Sequence, residues 1–332
     1  MENQTKVCVT GATGFIGRRL CLELAIKGFQ VHALCRDTSH SLVIKHKNIN
    51  LFKGDILDKK SLKEAMQGCE QVYHTAALAK MWCPDVNDFF TVNVIGTRNV
   101  LEIAVECNVK KIVHTSTCGV WGPTINHPIV ETDPRTTGFP IHYERTKYLA
   151  ELEVNRFVKK GLNVVIVNPS RVYGEGPVTD SNTVGKMVSG YIKGKWRVIP
   201  GNGKYVANYV YLDDVVNGHL AAMELGIAGN RYILGGEDIS FTGFFDTLAQ
   251  LSGNHYKMFK IPIKVIKIYS QAQWLKTALT GLPPVFLPEF ADRLTLNQKY
   301  SSAKAQKELN YTITPFTEGL KRTLNYFNNQ ME

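Results

Sequence analysis

A phenol is a useful acid near neutral pH only where a nearby cation stabilises the phenolate it leaves behind. On a helix, a lysine four residues after a tyrosine lies one turn on and on the same face. Tyr143 and Lys147 have that spacing, and so do Tyr191 with Lys195, Tyr256 with Lys260 and Tyr300 with Lys304. Position separates them. Only Tyr143 follows closely on hydroxyls that end an apolar run, Lys111-Ile112-Val113-His114-Thr115-Ser116-Thr117. Reduction of a carbonyl by hydride needs a hydroxyl that fixes the carbonyl oxygen, a phenol that protonates it and an ammonium that lowers the phenol's pKa. Thr117, Tyr143 and Lys147 are therefore the candidate catalytic residues, and the hydride calls for a nicotinamide dinucleotide.

The stretch from Lys6 to Gly17, Lys-Val-Cys-Val-Thr-Gly-Ala-Thr-Gly-Phe-Ile-Gly, could hold that dinucleotide. Val7-Cys8-Val9 is a run suited to a buried parallel strand, and Gly11, Gly14 and Gly17 follow at intervals of three before a helical pattern with Leu20, Leu24 and Ile26. Gly11 allows a tight turn, Gly14 a close approach of backbone to a pyrophosphate, and Gly17 close packing of helix on sheet. The free amides and positive end of that helix would hold the anion. Gly28 stops the helix and Val31-His32-Ala33-Leu34-Cys35 makes a second strand, completing a βαβ unit. That strand is followed by Arg36, which suits a 2′-phosphate, so NADP(H) is the preferred cofactor; contact of Asp37 with the ribose would instead allow NAD(H). Asp55, after Gly54, is placed to accept from the adenine amino group, its plain alternative being to cap the next helix.

Stepwise along the chain, Asn50–Asp55, Gln71–Ala77, Lys111–Thr117 and Asn163–Val167 continue as strands, with helices near 60–66, 86–107 and 142–160 between them. Strands alternating with helices predict an α/β fold, a Rossmann doubly wound parallel sheet with ligands at the carboxyl ends of its strands. The small residues Thr75, Ala76 and Ala77 would let a flat ring or ribose lie against backbone. Beyond Pro169 the alternation fails in glycine- and proline-rich loops, and Asp213–Leu225 with Arg231–Leu234 read as a helix and strand returning to the first unit. The expected division is 1–168 with 209–236 as the dinucleotide-binding domain, and 169–208 with 237–332 as a smaller, mostly C-terminal substrate-binding domain.

The chain's 332 residues, 44% hydrophobic and 20% charged, suit a soluble globular protein. Seven cysteines without a Cys-x-x-Cys pair are read as core residues of a reducing compartment, with no metal site. Met1-Glu2-Asn3-Gln4 leads straight into the first strand without a signal peptide, so the cytoplasm is expected. The net charge of +10 is dispersed, which argues against nucleic acid.

Thr10–Gly17, Asp55, His74-Thr75-Ala76-Ala77, Asn93-Val94-Ile95-Gly96-Thr97, Thr115-Ser116-Thr117, Tyr143 with Lys147 and Asn168-Pro169-Ser170 together resemble an extended short-chain dehydrogenase/reductase of the NAD-dependent epimerase/dehydratase family. The resemblance is strongest to a bacterial branch labelled dihydroflavonol 4-reductase-like, which also holds proteins called hopanoid-associated sugar epimerases. It implies Thr13, Phe15, Ile16, Ile56, Thr115 and Ser170 as further cofactor contacts, Pro169 against the nicotinamide, Lys147 on its ribose and Arg36 at the second strand's end. It also favours a homodimer built on the helix after Asn87 and the Tyr143 helix.

Sugar-nucleotide dehydratases of this superfamily follow the Ser/Thr with Asp-Glu, whereas Thr117 is followed by Cys118-Gly119. Epimerases place an Arg-Asp where this chain has Ala207-Asn208, and no other cation is offered there for a substrate diphosphate. Trp82, Trp121 and Tyr173, with Phe139-Pro140-Ile141, suggest an apolar substrate pocket. The expected activity is NADPH-dependent reduction of a ketone or aldehyde on a mainly apolar small molecule, with an NAD-dependent sugar epimerase and a non-catalytic nucleotide-binding protein as alternatives. Finally, Val265, Ile268, Ala272, Leu275, Leu279 and Leu282 form a three-four stripe amid lysines over 262–281. The stripe is expected to pack over the substrate domain, the alternative being a lid or a lipid-surface contact.

Overall fold

A computed structural model describes residues 4–80, 82–284 and 287–330. Met1 to Asn3, which the sequence reading runs into the first strand, lie outside them. The strands are β1 (Lys6–Thr10), β2 (Gln30–Cys35), β3 (Ile49–Lys53), β4 (Gln71–His74), β5 (Lys111–Thr115), β6 (Val164–Pro169), β7 (Arg171–Tyr173), β8 (Val198–Pro200), β9 (Val206–Tyr211), β10 (Arg231–Leu234), β11 (Glu237–Ser240) and β12 (Phe259–Ile261). The helices are α1 (Phe15–Ile26), α2 (Lys59–Met66), α3 (Asn87–Phe90), α4 (Gly96–Glu106), α5 (His142–Val158), α6 (Thr183–Ile192), α7 (Leu212–Leu225), α8 (Phe241–Ser252), α9 (Ile263–Thr280), α10 (Pro288–Arg293), α11 (Ala303–Leu309) and α12 (Phe316–Asn329).

Seven parallel strands form the central sheet in the order β10-β6-β5-β4-β1-β2-β3. Because strand side chains alternate, Val7 and Val9 enter one core with Leu20 and Leu24 of α1 and Val215 and Val216 of α7. Cys8 and Val72 enter the other, with Leu62 of α2, Val100 and Leu101 of α4 and Val154 of α5. Both faces are covered, which is why the strands read as unbroken apolar runs. Strand order reverses between β1 and β4, so the crevice at their carboxyl ends is the topological switch point. All seven cysteines are free, five of them buried.

A third core lies under β11-β9-β7, where Tyr173, Tyr209 and Tyr211 meet Phe244 of α8 and Phe316 and Leu320 of α12. Two elements differ from the expected division of the chain. β9 spans residue 208 without a break, and Ala305 and Leu309 of α11 pack into the first core. Both follow from long-range packing, to which local pattern is blind. Among the described residues no helix is long and apolar enough to cross a membrane.

Candidate active site

The β1–α1 turn behaves as its glycines require. Gly11 has φ +73°, and a Cβ there would stand 2.7 Å from Ala76 N. A Cβ on Gly17 would stand 2.3 Å from the Gly11 carbonyl oxygen and 2.5 Å from Thr75 Oγ1. Gly14 is the N-cap of α1, so no side chain caps the helix and no acid sits in its first turn. Its leading amides are left for an anion. A cleft of about 310 Å³, open to solvent, lies between Thr13, Gly14, Phe15 and Arg18 on this side and Glu175 and Gly176 on the other. Ile16 packs against the core below it. These features fit a dinucleotide pyrophosphate.

At the end of β2, Arg36 is exposed and Cys35 is buried. Asp37, the alternative ribose contact, accepts from the amide and hydroxyl of Ser39 (2.9 and 2.6 Å), and those bonds hold its carboxyl below the ordinary range. Asp55 accepts from the Leu57 amide (2.9 Å). The cap of α2 is Asp58, which removes the plain alternative for Asp55. Ile56 is buried against Gly96, where a Cβ would come within 2.5 Å of its Cδ1.

Next to the β1–α1 turn a buried chain of polar bonds sets the crevice wall. Thr10 Oγ1 meets His74 Nδ1 at 2.8 Å and His74 Nε2 meets Thr97 Oγ1 at 3.0 Å, while Thr75 Oγ1 donates to the Thr10 carbonyl (2.7 Å). Burial, then the nearby Lys147, pushes His74 down to about 3, so it is a neutral linker. Thr91–Ile95 is a π-helical stretch that turns Asn93 inward. There Asn93 accepts from the Leu78 amide (2.7 Å) and donates to Thr146 Oγ1 (3.0 Å), tying the segment after β4 to α5.

Tyr143 lies in the first turn of α5, half-buried, with the Thr117 side chain as its hydrogen-bonding neighbour. Thr117 also caps the turn after β5, accepting from the Gly119 amide at 3.1 Å. Lys147 and Glu151 follow at one-turn intervals and are both buried. The structure departs from expectation at the lysine. Lys147 Nζ donates to the Thr115 carbonyl (2.6 Å) and lies 3.5 Å from His114 Nε2. Burial pushes Lys147 down to about 8, and Glu151 opposes that shift. The phenol of Tyr143 is pushed up to about 12, by burial first and then by Glu144; Arg293 and Thr117 lower it only in part. The cation acting on the phenol is thus Arg293.

Glu144, Glu151 and Arg293 are residues that the sequence reading missed. Glu144 is 3% exposed and pairs with Arg135 (3.3 Å) and with Arg293 of α10. Glu151 accepts from Asn168 Nδ2 (2.7 Å) and faces Arg231 at 3.6 Å. Its signal was present as a glutamate four residues beyond Lys147. Ser170 Oγ, just after β6, is buried without a hydrogen-bond partner among the described residues. On β7, Arg171 donates to Gln298 Oε1 (3.0 Å) and lies over Tyr209 and Phe241, with no carboxylate partner among the described residues.

Two of the expected pocket aromatics belong to the interior. Tyr173 is 1% exposed among Tyr211 and Phe316, and Trp121, 3% exposed, lies with Val120, Ile233 and Tyr300 beneath Arg231. Their size, read as pocket wall, serves core packing instead. Trp82 is half-buried, and Phe139 lies under Arg135 at 3.9 Å.

A family model described as the NAD dependent epimerase/dehydratase family matches residues 7–235. The chain is 33% identical over 264 residues to sterol demethylase protein B of Methylococcus capsulatus, covering 78% of each. It is 28% identical over 330 residues to a putative dihydroflavonol 4-reductase of Synechocystis, covering 97% of this chain and 94% of that protein. The crystal structure of gox2253 superposes with a TM-score of 0.83 at 30% identity, covering 99% of both chains.

Proposed function

Since the chain belongs to the NAD-dependent epimerase/dehydratase family and is an NAD(P)-dependent oxidoreductase, we propose that it uses NADPH to reduce a ketone or aldehyde on a mainly apolar molecule. The observation that carries this reading is a phenol kept in its acid form beside a hydroxyl, Tyr143 with Thr117, at the sheet edge that carries the glycine turn. A proton donor is what reduction requires.

In this reading the nicotinamide supplies hydride to the carbonyl carbon. Thr117 holds the carbonyl oxygen and Tyr143 gives it a proton as negative charge develops there. Lys147 exchanges its bond to the Thr115 carbonyl for the nicotinamide ribose, and Arg293 favours the phenolate left on Tyr143. Glu151 keeps that ammonium charged. The amides at the start of α1 hold the pyrophosphate, with Pro169 and Ser170 at the nicotinamide and Ile56, Ala76 and Ala77 along the adenosine side. The division into a dinucleotide part and a substrate part belongs to the same reading.

Substrate class is supported by residues 207 and 208. Ala207 and Asn208 are 2% and 1% exposed, and Asn208 is spent on Gly236 and Asp238. That position offers no cation to a nucleotide diphosphate. The guanidinium of Arg171 suits a single anionic or strongly polar group on an otherwise apolar molecule. The name of the Methylococcus relative, a sterol demethylase protein, fits the same class.

The NADPH preference rests on Arg36, which makes no ion pair among the described residues, while the adjacent Asp37 accepts from Ser39. Arg36→Gln is expected to raise the KM for NADPH by about 10- to 100-fold, the loss of one charge-assisted bond, and to leave NADH unchanged. Steady-state kinetics with both nucleotides checks this. The whole reading is tested by following nicotinamide absorbance against a carbonyl panel. Turnover of apolar ketones with NADPH is expected. A purified protein that carries stoichiometric NAD and consumes no NADPH would overturn the reading in favour of an epimerase.

The two directions of reaction should differ in pH dependence. A phenol near 12 stays protonated between about pH 6 and 9, so ketone reduction is expected to be flat up to about pH 8 and to fall above it, where Lys147 loses the charge that holds the ribose. Alcohol oxidation needs the phenolate, whose fraction rises about tenfold per pH unit below the pKa. The oxidation rate therefore climbs across the same window. Paired pH–rate profiles check the sign.

A further inference from the structure

Helix α9 packs opposite to its sequence pattern. Its apolar stripe faces solvent, with Val265 at 52%, Ile268 at 67%, Leu275 at 63% and Leu279 at 79% exposure. The buried residues are Ser270 and Thr277. Each lies two positions after Ile268 or Leu275, about 200° round the helix. Their hydroxyls bond to the carbonyls of Lys267 (2.8 Å) and Gln273 (3.0 Å), so burial leaves neither unpaired. α10 packs against α9, held by an ion pair from Lys267 to Asp292. Trp274 and Tyr269, at 51% and 49%, stand exposed beside the stripe. Lys264 and Lys276 flank it, and the sequence holds no acid between Asp246 and Glu289.

We propose that α9 is an interfacial helix that lies flat on an anionic lipid bilayer. Val265, Ile268, Ala272, Leu275 and Leu279 enter the acyl boundary, the two aromatics sit at headgroup level, and Lys264 and Lys276 meet lipid phosphates. Charge decides among occupants. A second copy docked face to face would set the same lysines against each other, and a nucleic acid backbone has nothing for the apolar stripe. A bilayer surface of acidic lipid satisfies both features. Because α10 also carries Arg293 to Glu144, beside Tyr143, the bilayer face is one helix away from the candidate active site.

The test is co-sedimentation of the full chain with phosphatidylcholine vesicles, with and without phosphatidylglycerol. It involves no turnover and is independent of the proposed chemistry. Binding is expected to need phosphatidylglycerol and to weaken with salt. Leu275→Asp with Leu279→Asp should abolish it. Lys264→Gln with Lys276→Gln should weaken it about 25-fold, roughly fivefold per lysine. All these side chains are exposed, so thermal melts should match the wild type. No pelleting with phosphatidylglycerol vesicles, or undiminished pelleting of the aspartate variant, would overturn the proposal. So would a wild-type dimer in sedimentation velocity that the aspartate variant dissolves, since a second copy would then own the face.

Discussion

Tyr143→Phe is expected to lower turnover by about 10²- to 10⁴-fold, the range a positioned acid contributes, while the affinity for NADPH stays within about twofold. Phenylalanine keeps the ring between Thr117 and the first turn of α5 and removes the hydroxyl that carries the proton. The phenol's hydrogen-bonding neighbour Thr117 keeps its own bond from the Gly119 amide, so the fold should tolerate the loss. Single-turnover hydride transfer measured beside nucleotide titration separates the two quantities. Near-normal turnover would show that Thr117 or solvent supplies the proton, and the assignment of Tyr143 would fall.

Gly17→Ala is expected to do more damage than its single methyl group suggests. The new Cβ meets the Gly11 carbonyl at 2.3 Å and Thr75 Oγ1 at 2.5 Å, and the first of these is backbone that cannot swing away. Relief requires α1 to lift from the end of β4, which costs about 3 kcal/mol by analogy with overpacked cores. For a chain of this size that lowers the melting temperature by about 4 °C. Lifting α1 also moves the amides proposed to hold the pyrophosphate. Wild-type protein should therefore be stabilised by NADPH in a thermal-shift experiment and the variant should not. Gly14→Ala is the control for the melting temperature alone, because its Cβ meets only the Gly11 carbonyl, at 3.1 Å, although it too faces the pyrophosphate site.

What could be read from the chain is what short-range physics decides. β1, α1, β2, β5, α5 and β10 were legible because burial on both faces, glycine stops and helix periodicity are local. Thr117, Tyr143 and Lys147 were legible because a strand end and a helix start share one edge. Contacts that join distant segments were not. Arg293 reaches Glu144 across 149 residues of sequence, and nothing near either residue announces the other. Lys147 follows Tyr143 as expected, but it donates to a strand-end carbonyl that spacing cannot show. In α9 periodicity correctly predicts a helix with an apolar stripe and is silent about which way the stripe faces. α10 packs against α9 and pairs with Lys267 through Asp292, and the two hydroxyls that are buried on α9 are already satisfied by their own helix.

The pairing of β10 with β6 also sets a schedule for synthesis. β6 is complete at Pro169, yet its outer neighbour is not made until Leu234, after β7, α6, β8, β9 and α7 have been synthesised. Through that interval Val164 to Val167, all fully buried in the finished sheet, present an unpaired edge of the kind that recruits foreign strands. The nascent chain must therefore shelter this edge until Tyr232 and its neighbours arrive, and cannot finish one half before beginning the other.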